Sequence, residues 1–286
     1  MIHSIYHPAG IARMLQSAGL GAKKSLGQNF FLDEALLEEM VHFAGIKGDD
    51  TVLEIGPGLG ALTRVIANRA ERVIAVEIDV KLAQLLRQNV ADLAGVQIVE
   101  DDILNVGESK VASLVSEPFK VVANLPYYAT TPILMHLLSM RATIVSITVL
   151  VQREVIGRLM AEPGSKDYGV LTVLIRRYAD AVPGPVISSD SFYPPPRVDS
   201  QVVRFDLKAD VGSSVGDACF LKVVRAGLNM RRKTLLNNIS ALFPQVDKAE
   251  LSKDLMAWGF ADRVRAETLD VARWEKLALE LQNKYF

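Results

Sequence analysis

The chain has 286 residues, half of them hydrophobic, and a formal net charge of -1 at pH 7. This length fits one large domain or two ordinary ones with a sizeable core, and the composition excludes global disorder. The overall charge neither requires nor excludes a polyanionic partner, so a prediction of such a partner depends on the local distribution of charge.

Cysteine and histidine are scarce. A single cysteine, Cys219, excludes an internal disulfide framework, and the four histidines show no metal-binding spacing, so we expect no metal site. The N-terminus lacks the pattern of a secretory signal, and no run of 18 apolar residues predicts a membrane span. We therefore expect a cytoplasmic protein that does not bind membranes.

The elements alternate along most of the chain. Asp33 predicts the start of a helix, "TVLEIGPGLGALTRVIA" predicts a strand, a glycine turn and a helix, and three further strands are predicted in "RVIAVEID", "VQIVEDDIL" and "FKVVANLPYY". The apolar, β-branched run "ATIVSITVLVQ" predicts a fifth strand covered on both faces. This alternation predicts an α/β domain with a Rossmann-like, doubly wound and mostly parallel sheet.

The later part of the chain reads differently. "YGVLTVLIRRYADAV" and "SQVVRFDLK" are strand-like and flank a Pro-rich loop, and from about residue 212 the pattern predicts helices only. We therefore expect an N-terminal extension (1–22), an α/β domain (23–210) and a small all-helical C-terminal domain (211–286).

The glycine turn predicts a nucleotide site. Gly56 and Gly58 follow the first strand of the α/β pattern, where glycine permits a sharp turn and close approach of a ligand to the backbone. Glu77 ends the next strand, where its carboxylate can accept hydrogen bonds from ribose hydroxyls. The same spacing also satisfies the nicotinamide-cofactor fingerprint, so this motif alone does not choose the cofactor.

Three further features favour S-adenosylmethionine. Glu54 precedes the turn, and a carboxylate there suits a cation and would repel a pyrophosphate. Asp102, at the end of the third strand, can accept from an adenine amine, although the adjacent Asp101 could point out of the sheet in its place. The fourth strand ends in "NLPYY".

The "NLPY" stretch suits methylation of an exocyclic amine. The Asn124 side-chain oxygen and the Leu125 carbonyl can accept the hydrogens of the amine, and Pro126 restricts the residue before it to extended conformations. Tyr127 offers a face for stacking a purine, worth about 1–3 kcal/mol per base. No general base is required, because the proton can leave after the methyl group arrives.

At this point the sequence resembles a known family, the bacterial KsgA-type rRNA adenine dimethyltransferases. The resemblance rests on "KKSLGQNFFLD", "LEIGPGLGALT", "AVEID", "EDDIL", "VVANLPYYATTPIL", "EPGSKDYGVLTVL", "FYPPPRVDSQVV" and "LNMRRKTLLNNI", in this order. The erythromycin-resistance methylases share the first five of these motifs.

The resemblance implies both the reaction and the residue roles. It implies transfer of two methyl groups from S-adenosylmethionine to N6 of each of two adjacent adenosines near the 3′ end of small-subunit (16S) rRNA, within a pre-30S particle, by a monomeric enzyme of ribosome biogenesis. Phe31 stands where leucine is more usual, and Phe192 is implied to sandwich the target base with Tyr127. The implied cofactor contacts are Asn29, Phe31, Gly56, Glu77, Asp102 and Asn124.

A local excess of basic residues predicts contact with RNA. No acidic residue occurs between Ala218 and Pro244, and we expect phosphate contacts from this stretch and from two lysines beside the cofactor segment. The expected RNA-binding residues are Lys23, Lys24, Lys222, Arg225, Arg231, Arg232 and Lys233.

Three alternatives remain open at this stage. They are a large-subunit rRNA adenine N6-methylase of the antibiotic-resistance type, a non-catalytic ribosome assembly or transcription factor that keeps the fold, and a nicotinamide-dependent dehydrogenase.

Overall fold

The computed structural model describes residues 5–21, 28–115, 118–209, 211 and 214–286. The described residues divide into two compact units, one formed by those within 1–156 and 180–207 and the other by those within 157–179 and 208–286. The C-terminal part of the second unit begins at residue 208, and the unit also contains residues 157–179, which the sequence analysis placed in the α/β domain.

The first unit is built on a seven-stranded sheet with the strand order β4-β3-β2-β5-β6-β9-β7. Strands β4, β3, β2, β5 and β6 run parallel, and β9 pairs antiparallel with β6. The strands are β2 (Thr51–Ile55), β3 (Arg72–Glu77), β4 (Val96–Glu100), β5 (Phe119–Asn124), β6 (Ile144–Gln152), β7 (Ala179–Ile187) and β9 (Ser200–Leu207). The expected doubly wound, mostly parallel sheet is thereby confirmed.

A second, two-stranded sheet lies in the same unit. Here β1 (Phe30–Phe31) pairs antiparallel with β8 (Phe192–Tyr193). The helices of this unit are α1 (Pro8–Ser17), α2 (Glu34–Phe43), α3 (Ala61–Ala67), α4 (Val80–Asn89), α5 (Glu108–Leu114) and α6 (Thr130–Ser139), and α7 (Arg153–Leu159) crosses the division between the units.

Local signals in the sequence explain where these helices begin. Asp33 caps α2 by accepting from the backbone N–H groups of Ala35 and Leu36, and Asp79 caps α4 in the same way. The apolar face of α2 (Leu37, Met40 and Val41) packs into the core cluster that also includes residues of β2, β5, β6 and β9. This packing holds the strand ends that carry the site.

The second unit is helical. It contains α8 (Val170–Tyr178), α9 (Asp217–Gly227), α10 (Leu235–Ile239), α11 (Lys248–Ala257) and α12 (Val271–Tyr285). Trp274 of α12 is fully buried, and a Cβ on Gly227 of α9 would come within 2.5 Å of its ring, so close packing of α9 against α12 requires glycine there. The expected helical C-terminal region is confirmed.

One predicted element was wrong. "YGVLTVLIRRYADAV" was read as strand-like, but its first part forms α8 and only the residues from Ala179 onward form strand β7. The first part of α8, from Val170 to Ile175, is apolar except for Thr172, and its charged residues, Arg176 and Arg177, come only in the last turn. A helix buried all round has the same continuous apolar pattern as a covered strand. Among the described residues, no helix is long and apolar enough to cross a membrane.

Candidate active site

The site lies where the strand order reverses between β2 and β5. In an open α/β sheet, the crevice at the carboxyl ends of the strands beside such a reversal is the usual ligand site. A cavity opens at this edge. The described residues that line it are Ile5, Gln28, Asn29, Phe30, Phe31, Glu54, Gly56, Pro57, Gly58, Leu59, Ala61, Leu62, Glu77, Ile78, Leu82, Asn124, Pro126 and Tyr128.

The glycine turn provides room for a ligand beside the backbone. Gly56 has φ of +67°, a left-handed conformation that favours glycine, and a Cβ built on it meets nothing within 4 Å. Gly58 is also left-handed, and a Cβ there would approach the Phe30 ring to 3.1 Å. The turn therefore leaves open space over Gly56 and fits closely against Phe30.

Glu77 is held in place by the same turn. Its Oε2 accepts from the Gly58 N–H at 3.0 Å, and its Oε1 accepts from the Asp79 N–H at 2.9 Å. The residue is 4% exposed, and this burial raises the pKa of its carboxyl group. Each carboxylate oxygen has a second lone pair, so Glu77 can accept ribose hydroxyls without losing its backbone bonds.

Glu54 is a buried carboxyl group facing the cavity. It is 1% exposed, and its Oε2 has no hydrogen-bond partner among the described residues. Burial, with a smaller contribution from the negative charge of Glu77, raises the pKa of Glu54 to about 8. A bound cation would compensate such a group, because an opposite charge favours the ionised form.

Asn124 is oriented by a hydrogen bond across the cavity. Its Nδ2 donates to the backbone carbonyl of Asn29 at 3.0 Å, which directs Oδ1 to the other side as an acceptor. The next residue, Leu125, donates its N–H to the Leu150 carbonyl at 3.3 Å, and its side chain is buried. The chain then turns at Pro126, which has φ of -63°. Asn124 and Pro126 both line the cavity.

The two aromatic residues expected to hold the base differ in exposure. Tyr127 is half-buried, and its hydroxyl lies 2.7 Å from the hydroxyl of Ser200 at the start of β9. Phe192 is 2% exposed and packs against Phe31, with 4.6 Å between ring centroids. Neither residue is among the described residues that line the cavity, and a base can stack on Phe192 only after the groups that cover its ring have moved.

The two consecutive aspartates after β4 have different partners. Asp102 begins a 3-10 turn, and its Oδ1 accepts from the Leu104 N–H at 3.0 Å. Asp101 forms an ion pair with Lys110, which lowers the pKa of its carboxyl group. Strand β4 ends at Glu100, so both aspartates lie in the turn, and Asp102 is outside the described set that lines the cavity.

The structure thus brings most of the expected cofactor residues to one cavity. The expected residues that line it are Asn29, Phe31, Glu54, Gly56, Gly58, Glu77, Asn124 and Pro126. The lining residues that were not predicted as site residues include Ile5, Ile78 and Tyr128. Ile78 and Tyr128 are 51% and 60% exposed, and their positions directly after Glu77 and Tyr127 could have indicated them.

The expected RNA-binding residues are distributed unevenly. Lys23 and Lys24 lie outside the described residues. Lys222, Arg225, Arg232 and Lys233 are exposed on α9 and the turn after it. Arg231 is also exposed, but its guanidinium donates to the backbone carbonyls of Lys166 and Ser165 within the helical unit.

The sheet order, the glycine turn after β2 and the acceptor Glu77 at the end of β3 define a class I methyltransferase. Two features of the cavity fit S-adenosylmethionine as its cofactor: the open space over Gly56 and the unpartnered buried oxygen of Glu54. The model of the family "Ribosomal RNA adenine dimethylase" matches residues 19–283. The chain belongs to this family of S-adenosylmethionine-dependent enzymes.

Two curated relatives carry the same name, "Ribosomal RNA small subunit methyltransferase A". The protein of Geobacillus thermodenitrificans is 40% identical over 287 residues, with 97% of each chain covered. That of Lactiplantibacillus plantarum is 41% identical over 277 residues, covering 93% of this chain and 92% of the relative.

Two solved structures share the architecture. A dimethyladenosine transferase from Plasmodium falciparum has a TM-score of 0.73 at 25% identity and covers 88% of this chain and 97% of its own. The 23S rRNA methyltransferase ErmE has a TM-score of 0.63 at 25% identity and covers 89% of this chain and 100% of its own.

Proposed function

We propose that the protein dimethylates N6 of two adjacent adenosines near the 3′ end of small-subunit rRNA, with S-adenosylmethionine as the methyl donor. The observation that carries the choice of substrate is the near-complete coverage of relatives named for the small subunit. The proposed setting is a pre-30S particle in the cytoplasm, where the enzyme acts as a monomer during ribosome biogenesis.

The proposed chemistry uses acceptors on the chain. When bound, S-adenosylmethionine supplies an electrophilic methyl group. The Asn124 Oδ1 and the Leu125 carbonyl accept the hydrogens of the target amine, which turns the nitrogen lone pair away from the ring. The hydrogen bond from Asn124 to the Asn29 carbonyl supports this role, because it fixes which side of the amide is the acceptor. The methylated nitrogen is cationic and releases one of its protons to water after the transfer, so positioning accounts for most of the catalysis.

Tyr127 is proposed to stack on the target adenine, and Phe192 is proposed as the partner ring. The hydrogen bond between the Tyr127 and Ser200 hydroxyls supports the role of Tyr127, because it fixes one edge of the ring and leaves the faces for stacking. Glu77 is proposed to bind the cofactor ribose and Asp102 its adenine amine, while Glu54 offers a negative charge to the cationic part. Asn29, Phe31, Gly56 and Gly58 complete the proposed cofactor contacts.

Exposed cations of the helical unit are proposed to bind rRNA phosphates. Lys222, Arg225, Arg232 and Lys233 carry this part of the proposal, with Lys23 and Lys24 added from the sequence alone. Arg231 is proposed to act mainly by holding the 165–166 backbone. Charge reversal at Arg232 and Lys233 should raise the KM for small subunits about tenfold and flatten its salt dependence, and Lys276→Glu, another exposed cation of this unit, should not.

The direct test is labelled methyl transfer to undermethylated small and large subunits, followed by mapping of the modified nucleotides. We expect label only in the small subunit, as dimethyladenosine at two adjacent positions. Label confined to the large subunit would favour the antibiotic-resistance activity, and absence of label from both would favour a non-catalytic factor.

Two variants locate the acceptor. Asn124→Ala should lose methyl transfer while the fold remains intact, and Asn105→Ala, which removes an exposed amide outside the lining set, should keep it. Full activity of Asn124→Ala would refute the proposed acceptor role. Calorimetry with S-adenosylmethionine and with NAD tests the cofactor separately.

A further inference from the structure

The N-terminal helix α1 packs behind the cavity wall. Its buried residues Ile11 and Leu15 form an apolar cluster with Leu59 and Leu82, and the latter two also line the cavity. The cluster is thus shared between α1 and the wall. Removing α1 would expose the back of that wall to water.

The residues just before α1 reach the cavity itself. Ile5 is 3% exposed and is one of the lining residues. The next residue, Tyr6, packs against the core cluster formed by α2 and the central strands. His7 then caps α1 by accepting from the Ala9 N–H at 3.3 Å, and Pro8 occupies the first turn. The chain is therefore anchored directly after Ile5.

We propose that the segment 5–20 is a wall of the S-adenosylmethionine site and sets the affinity for this cofactor, with Ile5 as its contact residue. The match to the family model begins at residue 19, so all of α1 lies before it. The segment therefore adds to the site that the family motifs define.

The chemistry of the wall assigns its role. Ile5, Leu59 and Leu82 contribute apolar side chains to the lining, whereas Glu54 and Glu77 contribute charge and hydrogen-bond acceptors. Apolar walls strengthen ligand binding by excluding water, which increases both the buried area and the electrostatic attraction of the acidic side chains. We therefore expect the segment to act on cofactor binding and to leave RNA binding unchanged.

The test measures cofactor binding by calorimetry on the full chain without RNA. Ile5→Ala should raise the dissociation constant for S-adenosylmethionine about fivefold, because it removes apolar contact from the wall, and Ile5→Leu should restore most of the affinity. Ile11→Asp should raise it by about tenfold or more, because a buried charge displaces α1. Gln16→Ala, on the exposed side of the same helix, should bind like the parent.

Two further readouts separate this role from a general loss of structure. Thermal unfolding without cofactor reports on the fold, and hydrogen exchange of the α1 amides shows whether Ile11→Asp releases the helix. If Ile11→Asp does not fold, the Ile5 pair alone decides. In steady-state assays the KM for the cofactor should rise in Ile5→Ala, with kcat and the KM for small subunits unchanged.

Cofactor affinity of Ile5→Ala within about twofold of the parent would overturn the proposal. So would parent-like affinity in an Ile11→Asp protein whose α1 amides exchange freely. Because calorimetry requires no RNA, an error in the proposed RNA target would leave these results unaffected.

Discussion

Replacement of Glu54 by glutamine tests whether this buried carboxyl group lowers the stability of the folded protein. Glu54 lies on the central strand β2, is 1% exposed, and has an oxygen without a partner among the described residues. Burial raises its pKa from 4.5 to about 8. Glutamine has nearly the same shape and no ionisable group, so Glu54→Gln removes this titration while keeping the packing.

The sign of the effect follows from proton binding. Below pH 4.5 both states hold the proton and the group contributes nothing, whereas above pH 8 both have lost it and the full penalty is present. Between these values the folded protein keeps a proton that the unfolded chain loses, so stability falls as pH rises, by up to about 1.4 kcal/mol per pH unit. From pH 5 to pH 7 the loss amounts to about 2.5 kcal/mol in the parent, and it is absent in Glu54→Gln.

Urea unfolding at the two pH values measures this difference. The advantage of Glu54→Gln over the parent should grow by about 2.5 kcal/mol between pH 5 and pH 7, as followed by far-ultraviolet circular dichroism. Both tryptophans, Trp258 and Trp274, lie in the helical unit, so their fluorescence reports on unfolding of that unit separately. Equal pH dependence of the parent and the variant would show that Glu54 is ionised in the folded protein and would refute the reasoning.

Three other substitutions probe the site and the helical unit. Gly56→Ala should weaken S-adenosylmethionine binding about tenfold in calorimetry, because the added methyl group fills the open space over the turn. The control Gly45→Ala, with φ of +64° and equally open space, should lose stability through backbone strain and keep its affinity for the cofactor. Tyr127→Phe should cost about 1 kcal/mol in urea unfolding through the lost hydroxyl contact and keep methyl transfer, so inactivity would contradict ring stacking. Arg177→Met should destabilise the helical unit by about 3 kcal/mol, because buried Arg177 pairs with Glu275 at 3.1 Å. An unchanged urea midpoint in tryptophan fluorescence would contradict this.

The parallel sheet could be predicted because its strands carry strong local signals. β6 is a continuous run rich in β-branched residues, and the glycines after β2 indicate a tight turn. α8 could not be assigned from the same kind of signal. Its residues from Thr172 to Ile175 are all buried, and a short, continuous run of this kind is consistent with either a buried helix or a covered strand.

The cofactor side of the site could be predicted because it follows from topology. Glu54, Glu77 and Asn124 stand at or near the carboxyl ends of neighbouring parallel strands, and such ends meet at one edge of the sheet. The base side depends on side-chain packing, which motifs do not report. The Phe31 ring is in contact with the Phe192 ring in the core, and neither residue type alone indicates that contact.

Charge counting has the same limit on the helical unit. A basic stretch without acids predicts an RNA surface, but the count treats every cation as available. The structure engages Arg231 with backbone carbonyls and places Lys222 with its Nζ 4.4 Å from the centre of the Phe286 ring. Arg232 and Lys233 are therefore the better targets for charge reversal.

Ile5 shows where inference from sequence ends for this site. An acid, an amide or a glycine turn suggests a ligand because its chemistry is specific, whereas an isoleucine near the N-terminus suggests nothing. Its contribution arises from tertiary packing, since Ile5 lines the cavity just before α1, and α1 packs against Leu59 and Leu82 of the same lining. Acceptors determine which cofactor is recognised, but the exclusion of water by apolar walls determines how strongly those acceptors act. The affinity of this site should therefore depend on a segment that carries no recognisable motif.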